Sequence, residues 1–271
     1  MLKYTQAYFK PQLINETIPM IHELLENNIL TIVMDRADKK NALVPKMYSD
    51  MAIAIENAPL SNVRVIVIKG AGGCFTAGND VTEFLRSVEE GAGDVNETYQ
   101  FMRALLKCPL PVVAQVEGLA IGIGSTLLLH CDFVLCHENT RFSMPFINLG
   151  LVPEYASSYI VPRVAGHLKA AELLMLGNPF NAKQAKDCGF VTSIHSVDLD
   201  AAVVDVAEAL AKKPVLALQQ TKALLKLDQA AVAQHIDDEL KIFVEAMQSD
   251  AANEAFTAFV EKRAVNYDKF K

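Results

Sequence analysis

The sequence predicts an α/β layer protein whose last third turns almost wholly helical. Three observations carry this. Short β-branched runs (VRVIVIKG, 63–70; PVVAQVEG, 111–118; DFVLC, 132–136) have the pattern of strands buried on both faces. Helix-period segments near 95–107 and 123–130 separate them. After Gly150 the texture becomes mostly helical.

In chain order, IPMIHELLENNILTIVMDR (18–36) predicts two strands, because apolar residues flank a polar break at Glu26-Asn27-Asn28. Met47, Met51 and Ile55 fall at four-residue spacing, and Pro45 stands where a first-turn proline is tolerated, so a helix follows. Residues 87–95 (SVEEGAGDV) are polar and hold two glycines, the composition of a mobile loop. HLKAAELLMLG (167–177) predicts a helix ended by a glycine cap; NAKQAKDCG (181–189) predicts one with an Asn cap at its start and a Gly at its end. From Asp198 helices dominate, broken at Pro214, with long patterns over 229–248 and 250–263. A soft boundary near 200 divides residues 1–200, expected to form the core with the functional site, from a helical region over 201–271.

The 271 residues are 51% hydrophobic and 21% charged, enough for a large core and incompatible with wholesale disorder. With 25 basic and 32 acidic residues the net charge is −7, and no long run of one sign occurs, which argues against nucleic-acid or membrane-surface binding. The five cysteines form no CxxC pair and suit a reducing compartment. The N-terminus lacks the apolar core of a signal peptide. The most apolar stretch, Gly118 to Cys136, is interrupted by Ser125, Thr126, His130 and Asp132. A cytoplasmic protein is expected.

Two glycine-rich corners stand out. The strand at 63–69 runs into GAGGCFTAGND, and that at 112–116 into EGLAIGIGST and a helix. Glycine beside a strand end lets backbone approach a ligand, and a helix N-terminus presents free N–H groups. Facing one another, two such corners could give two backbone donors to one oxygen; apart, they are two tight buried turns. Neither is a nucleotide-binding loop, since GxxxxGK[ST] and GxGxxG are both absent there.

DRADKKNAL (35–43), GGCFTAGNDVTEF (72–84), EGLAIGIGSTLLLHCDFVLCHENTRFSMPFINLGLVPE (117–154) and FVEKR (259–263) together resemble the crotonase (enoyl-CoA hydratase/isomerase) superfamily, in order and in rough spacing. Strand–helix alternation alone suggests a doubly wound sheet. The resemblance instead implies an α/β spiral of ββα units with a helical C-terminal trimerisation region. It also implies an acyl-CoA thioester substrate whose carbonyl oxygen meets the backbone amides of Asn79 and Ile123. Thr76, Ala77, Gly78, Asp80 and Gly122 line the same site by this resemblance, and Phe259 and Lys262 reach the CoA moiety. Coenzyme A is part of the substrate, so no separate cofactor is implied. The expected assembly is a homotrimer, or a hexamer of two. Ile at 123 keeps the backbone donor while narrowing the pocket.

The acids decide the reaction. Enoyl-CoA hydratases use two Glu, and the aligned positions here hold Thr126 and Phe146, leaving no pair to activate water and protonate C2. Glu154 remains, at a loop-to-helix junction among apolar residues. The order SMPF, LG, PE, SS resembles the Δ3,Δ2-enoyl-CoA isomerases of peroxisomal and fungal type, in which a Glu at this place is the sole acid/base. The alternative for Glu154 is a solvated carboxylate favouring a helix dipole. Its apolar neighbours predict a raised pKa.

Other candidates are weaker. Asp80-x-x-Glu83 is a capping box for the next helix as well as a site neighbour. Lys262 is equally a solvated helical lysine. The six His (22, 130, 137, 167, 195, 235) show no metal-ligand spacing, and His130 is expected to pack at a helix end. Ser157 and Ser158 lack evident His or Asp partners, which speaks against an acyl-enzyme. Met144, Phe146, Leu149 and Leu151 are assigned to core in preference to an acyl pocket. Alternatives to the isomerase are another crotonase-type reaction (hydratase, dehalogenase-like or thioesterase-like) and a non-catalytic acyl-CoA-binding module.

Overall fold

The computed structural model describes residues 19–89, 95–226 and 228–270. Strands β1 (Ile21–Glu26) and β2 (Ile29–Met34) form an antiparallel hairpin. Its turn residues Asn27 and Asn28 have φ of 50° and 64°, a left-handed pair that Asn tolerates and a tight hairpin requires. Helix α1 (Pro45–Asn57) starts at its proline and buries Met47, Tyr48, Met51 and Ile55. After β3 (Val65–Gly70) come α2 (Val81–Glu89) and α3 (Asn96–Lys107). Ser87–Glu89, expected in a loop, extend α2; residues 90–94 of that segment lie outside those described.

β4 (Val112–Val116) is followed by β5 (Leu119–Ile121), α4 (Ile123–Thr126) and a 3-10 turn over Leu127–His130. The sequence shows one strand here, whereas the chain makes two. Glu117-Gly118 turns it out of the first strand, with Gly118 at φ 61° and its backbone so close to Gly73 that a Cβ would lie 2.5 Å from the carbonyl oxygen. β6 (Phe133–His137) and β7 (Arg141–Ser143) repeat the pattern. Then follow α5 (Ser157–Ala165), α6 (His167–Met175), β8 (Phe180–Asn181), α7 (Ala182–Asp187) and β9 (Ser193–His195). Asn181 and Gln184 cap α7 reciprocally.

β1-β2-β3-β4-β6-β9 form one sheet, parallel except for the first hairpin; β5-β7-β8 form a second. Successive β–β pairs thus feed one strand to each sheet, which produces a spiral in place of a doubly wound sheet. In β3, Ile66 and Ile68 enter the main core, which includes Met51 and Phe101, while Val65 and Val67 join Leu199, Val203 and Ala207 of α8 (Leu199–Ala211). Both faces are covered, which explains the unbroken apolar run. α9 (Val215–Leu225), α10 (Gln229–Met247) and α11 (Asp250–Val260) complete the chain, and α11 packs against α2. Among the described residues no helix is long and apolar enough to cross a membrane.

Candidate active site

The loop after β3 is held from beneath by two buried polar side chains. Asn41 donates to the carbonyls of Ala71 (2.9 Å) and Cys74 (2.6 Å) and accepts from the Arg36 amide (2.8 Å). The Thr76 hydroxyl donates to the Asn41 carbonyl (2.6 Å) and accepts from the Gly78 amide (3.0 Å). Thr76, expected to contact substrate, is therefore fully buried and absent from the cavity wall; it shapes the loop that carries the site.

The two corners are stapled by backbone. Thr76 N–H donates to Leu119 O (2.9 Å) and Ile121 N–H to Thr76 O (3.2 Å). Gly78, at φ 86°, lies so near this seam that a Cβ would sit 2.6 Å from the Ile121 carbonyl oxygen. The neighbouring amides are engaged: Gly78 with Thr76, Asp80 with Leu43 O, and Gly122 with Ser143 O. The amide of Asn79 has no acceptor among the described residues, nor has that of Ile123, which opens α4. Both residues line one cavity of about 880 Å³.

Ala77, Gly78, Asp80, Gly122, Phe259 and Lys262 line it as well. So do Phe146, Leu149 and Leu151, which the sequence assigns to core; only Met144 of that group is core without facing the cavity. Lys39 and Lys40 add cations that the sequence did not single out. Asp80 pairs with Arg36 (2.7 Å) and accepts from the Thr82 amide (3.0 Å). Partial burial pushes its carboxyl up, but those bonds and the Arg36 charge outweigh it and hold the pKa below the ordinary value. Glu83 turns to Arg86 and the Asp80 carboxylate takes the Thr82 amide instead of that of Glu83, so Asp80 caps α2 without the expected capping box.

Glu154 is 4% exposed, not solvated at a helix end. Its Oε1 accepts from the Thr126 hydroxyl, one turn along α4 from Ile123, and its Oε2 is buried without a hydrogen-bond partner. The carboxyl does not itself line the cavity; Thr126 ties it to the helix that does. Burial pushes its pKa up to about 8; the Thr126 bond opposes this and the charge of Glu239 adds to it. The Tyr48 hydroxyl donates to the Asn79 side-chain oxygen; burial first, and then the Glu154 charge, push the Tyr48 pKa up.

His130 packs as expected at the end of its turn, stacked on Tyr155 (3.8 Å between centroids) with a ring nitrogen 2.8 Å from the Tyr155 carbonyl oxygen. Burial lowers its pKa to about 3. Ser157 donates to the Glu154 carbonyl and Ser158 to the Glu239 carboxylate, so neither hydroxyl meets a histidine. Tyr48, Asn41 and Glu239 went unread as site residues. Tyr48 sits in a helical apolar stripe, Asn41 inside DRADKKNAL (35–43), and Glu239 in a helix whose partners are far away in sequence.

Two sheets fed alternately by ββα units, with paired glycine corners opening on one cavity, make this a crotonase-fold protein. The chain matches the family described as "Enoyl-CoA hydratase/isomerase" over residues 25–270, and it belongs to that family. It is 32% identical over 219 residues to rat (Rattus norvegicus) "Enoyl-CoA delta isomerase 2", covering 79% of this chain and 56% of that one. It is 34% identical over 231 residues to the "Probable enoyl-CoA hydratase" of Bacillus subtilis (strain 168), covering 82% and 89%. The structure of Pseudomonas aeruginosa OdaA superposes with a TM-score of 0.85 at 42% identity, covering 89% of this chain and 98% of that one. The chain thus spans little more than half of the rat isomerase.

Proposed function

We propose that this chain is an acyl-CoA isomerase that shifts the double bond of a 3-enoyl-CoA to the 2-position. The observation that carries the reading is Glu154, a buried carboxylate whose Oε2 has no partner, beside a cavity lined by Asn79 and Ile123 with their free amides. Thr126 and Phe146 occupy the places where the sequence resemblance puts the hydratase acids, so neither place supplies a carboxylate.

In this reading Glu154 takes a proton from C2. The C2–H electrons form a C1=C2 bond and push the thioester C=O pair onto its oxygen; when the carbonyl re-forms, the C1=C2 pair becomes the C2=C3 bond of the product and the C3=C4 pair takes the proton back at C4. Negative charge developing on the thioester oxygen is met by the two amides, which are fixed in place and need no reorganisation. A carboxyl with a pKa near neutrality suits both halves of such a transfer. Lys39, Lys40 and Lys262 bring positive charge to the cavity wall for the CoA phosphates, and Phe146, Leu151 and Phe243 supply apolar wall for the acyl chain. Coenzyme A enters as part of the substrate, and nothing in the proposed step calls on another cofactor.

The test is turnover of trans-3-hexenoyl-CoA compared with hydration of trans-2-hexenoyl-CoA. Conversion of the first with negligible hydration of the second is the expected result; robust hydration would overturn it.

We also read residues 201–271 as an assembly region of a cytoplasmic homotrimer. On α9, Leu216, Leu224 and Leu225 are 67%, 67% and 82% exposed, more apolar surface than a helix facing only water carries. Sedimentation should show a trimer or a multiple of it, and a clean monomer would count against the reading.

A further inference from the structure

We propose that Glu239, on α10, is a positioning residue for Glu154: it clamps the strained backbone that follows the carboxylate and places a second negative charge beside it. This deepens the isomerase reading and rests on it.

Tyr155 and Ala156 have φ of 59° and 57°, two consecutive left-handed residues that both carry a Cβ. Such a pair is unfavourable unless its surroundings hold it. The Glu239 carboxylate supplies that hold. It accepts from the Ala156 amide at 2.6 Å, from the Ser158 amide at 3.0 Å and from the Ser158 hydroxyl. Both amides belong to the start of α5, where they have no intrahelical acceptor. Ser157 closes the arrangement by donating its amide (3.1 Å) and its hydroxyl (2.6 Å) to the Glu154 carbonyl. The direction in which Glu154 leaves the chain is thus set by a residue 85 positions further on.

Three donors converge on the Glu239 oxygens, and an ionised carboxylate, which only accepts, satisfies all three. Its charge acts on Glu154 in the direction that disfavours ionisation. The other groups bearing on the pair are Tyr48 from α1, Thr126 from α4 and Tyr155 beside it; burial pushes the Glu239 pKa up, and the Ser158 and Ala156 bonds and then His235, one turn earlier on α10, work against that rise.

The two roles separate experimentally. Glu239→Gln keeps the size and part of the clamp but removes the charge. Its kcat/KM–pH profile should have the acidic limb moved to lower pH by about half a unit or more. The infrared carboxylic-acid band that Glu154→Gln removes should titrate at the same lower pH. Glu239→Asp keeps the charge and shortens the reach. It should leave the limb where it is in the parent chain and lower kcat by about tenfold or more, with KM changed less than twofold. An infrared transition in Glu239→Gln at the parent pH overturns the electrostatic role, and full kcat in Glu239→Asp overturns the clamp. Should Glu239→Gln fail to fold, Glu239→Asp decides the clamp by the kcat–KM split. If Glu154→Gln keeps its turnover, it is the isomerase reading that falls; if that variant is dead and Glu239→Gln unshifted, only the role of Glu239 falls.

Discussion

Glu154→Gln is expected to lower isomerase turnover by on the order of 10³- to 10⁴-fold, because a sole general base has no substitute within reach. The change is nearly isosteric, and the Gln oxygen still accepts from Thr126, so acyl-CoA should bind with little loss. Steady-state kinetics on a 3-enoyl-CoA, together with calorimetric binding of a saturated acyl-CoA, separate the two effects. Retention of most kcat would end the single-base mechanism. The pH dependence follows from the same group. With a pKa of about 8 in the free site, kcat/KM should rise with pH up to that region and then level off. The sign for stability is opposite. Between the ordinary carboxylate pKa and about 8 the folded chain holds a proton that the unfolded chain has lost, so stability falls as pH rises through that window. Melting temperatures of Glu154→Gln should lack this slope and exceed those of the parent chain at the alkaline end.

Ile123→Pro is expected to cost on the order of 10²- to 10³-fold in kcat, since it deletes one of the two free amides from the cavity wall. The first position of a helix tolerates proline, so α4 itself should persist. The buried Ile side chain is lost as well, and a melt by circular dichroism records that packing cost separately. Ile123→Val is the matching control: it keeps the amide and removes one methylene, so kcat should stay within a few-fold of the parent value. Equal losses in both variants would show that packing, and not the N–H, is what matters at this position.

Much of the fold was legible in local patterns. The Asn27-Asn28 turn, the proline-started α1 and the Asn181 cap each depend on residues adjacent in sequence, so composition and spacing suffice to find them. The second sheet was not legible. β5, β7 and β8 are two or three residues long, too short for an alternation to register, and they exist because other strands align them. The site divides along the same line. Asn79 and Ile123 stand in glycine-rich corners whose composition marks them, whereas Thr76 has the composition of a site residue and turns out to brace the loop. Phe146, Leu149 and Leu151 show the limit from the other side, because a core residue and a pocket-wall residue carry the same apolar side chain.

By itself the sequence determined the α/β class, the glycine corners, the family resemblance and the survival of one acid, Glu154, where hydratase-type acids are missing. Tertiary structure alone decided that this acid is buried, that its Oε2 has no partner, and that Thr126, Tyr48 and Glu239 surround it. The physical reason is that a carboxyl's ionisation depends on desolvation and on charges brought near it through space. Glu239 lies 85 residues from Glu154 along the chain, and only the folding of α10 against α5 brings their charges together.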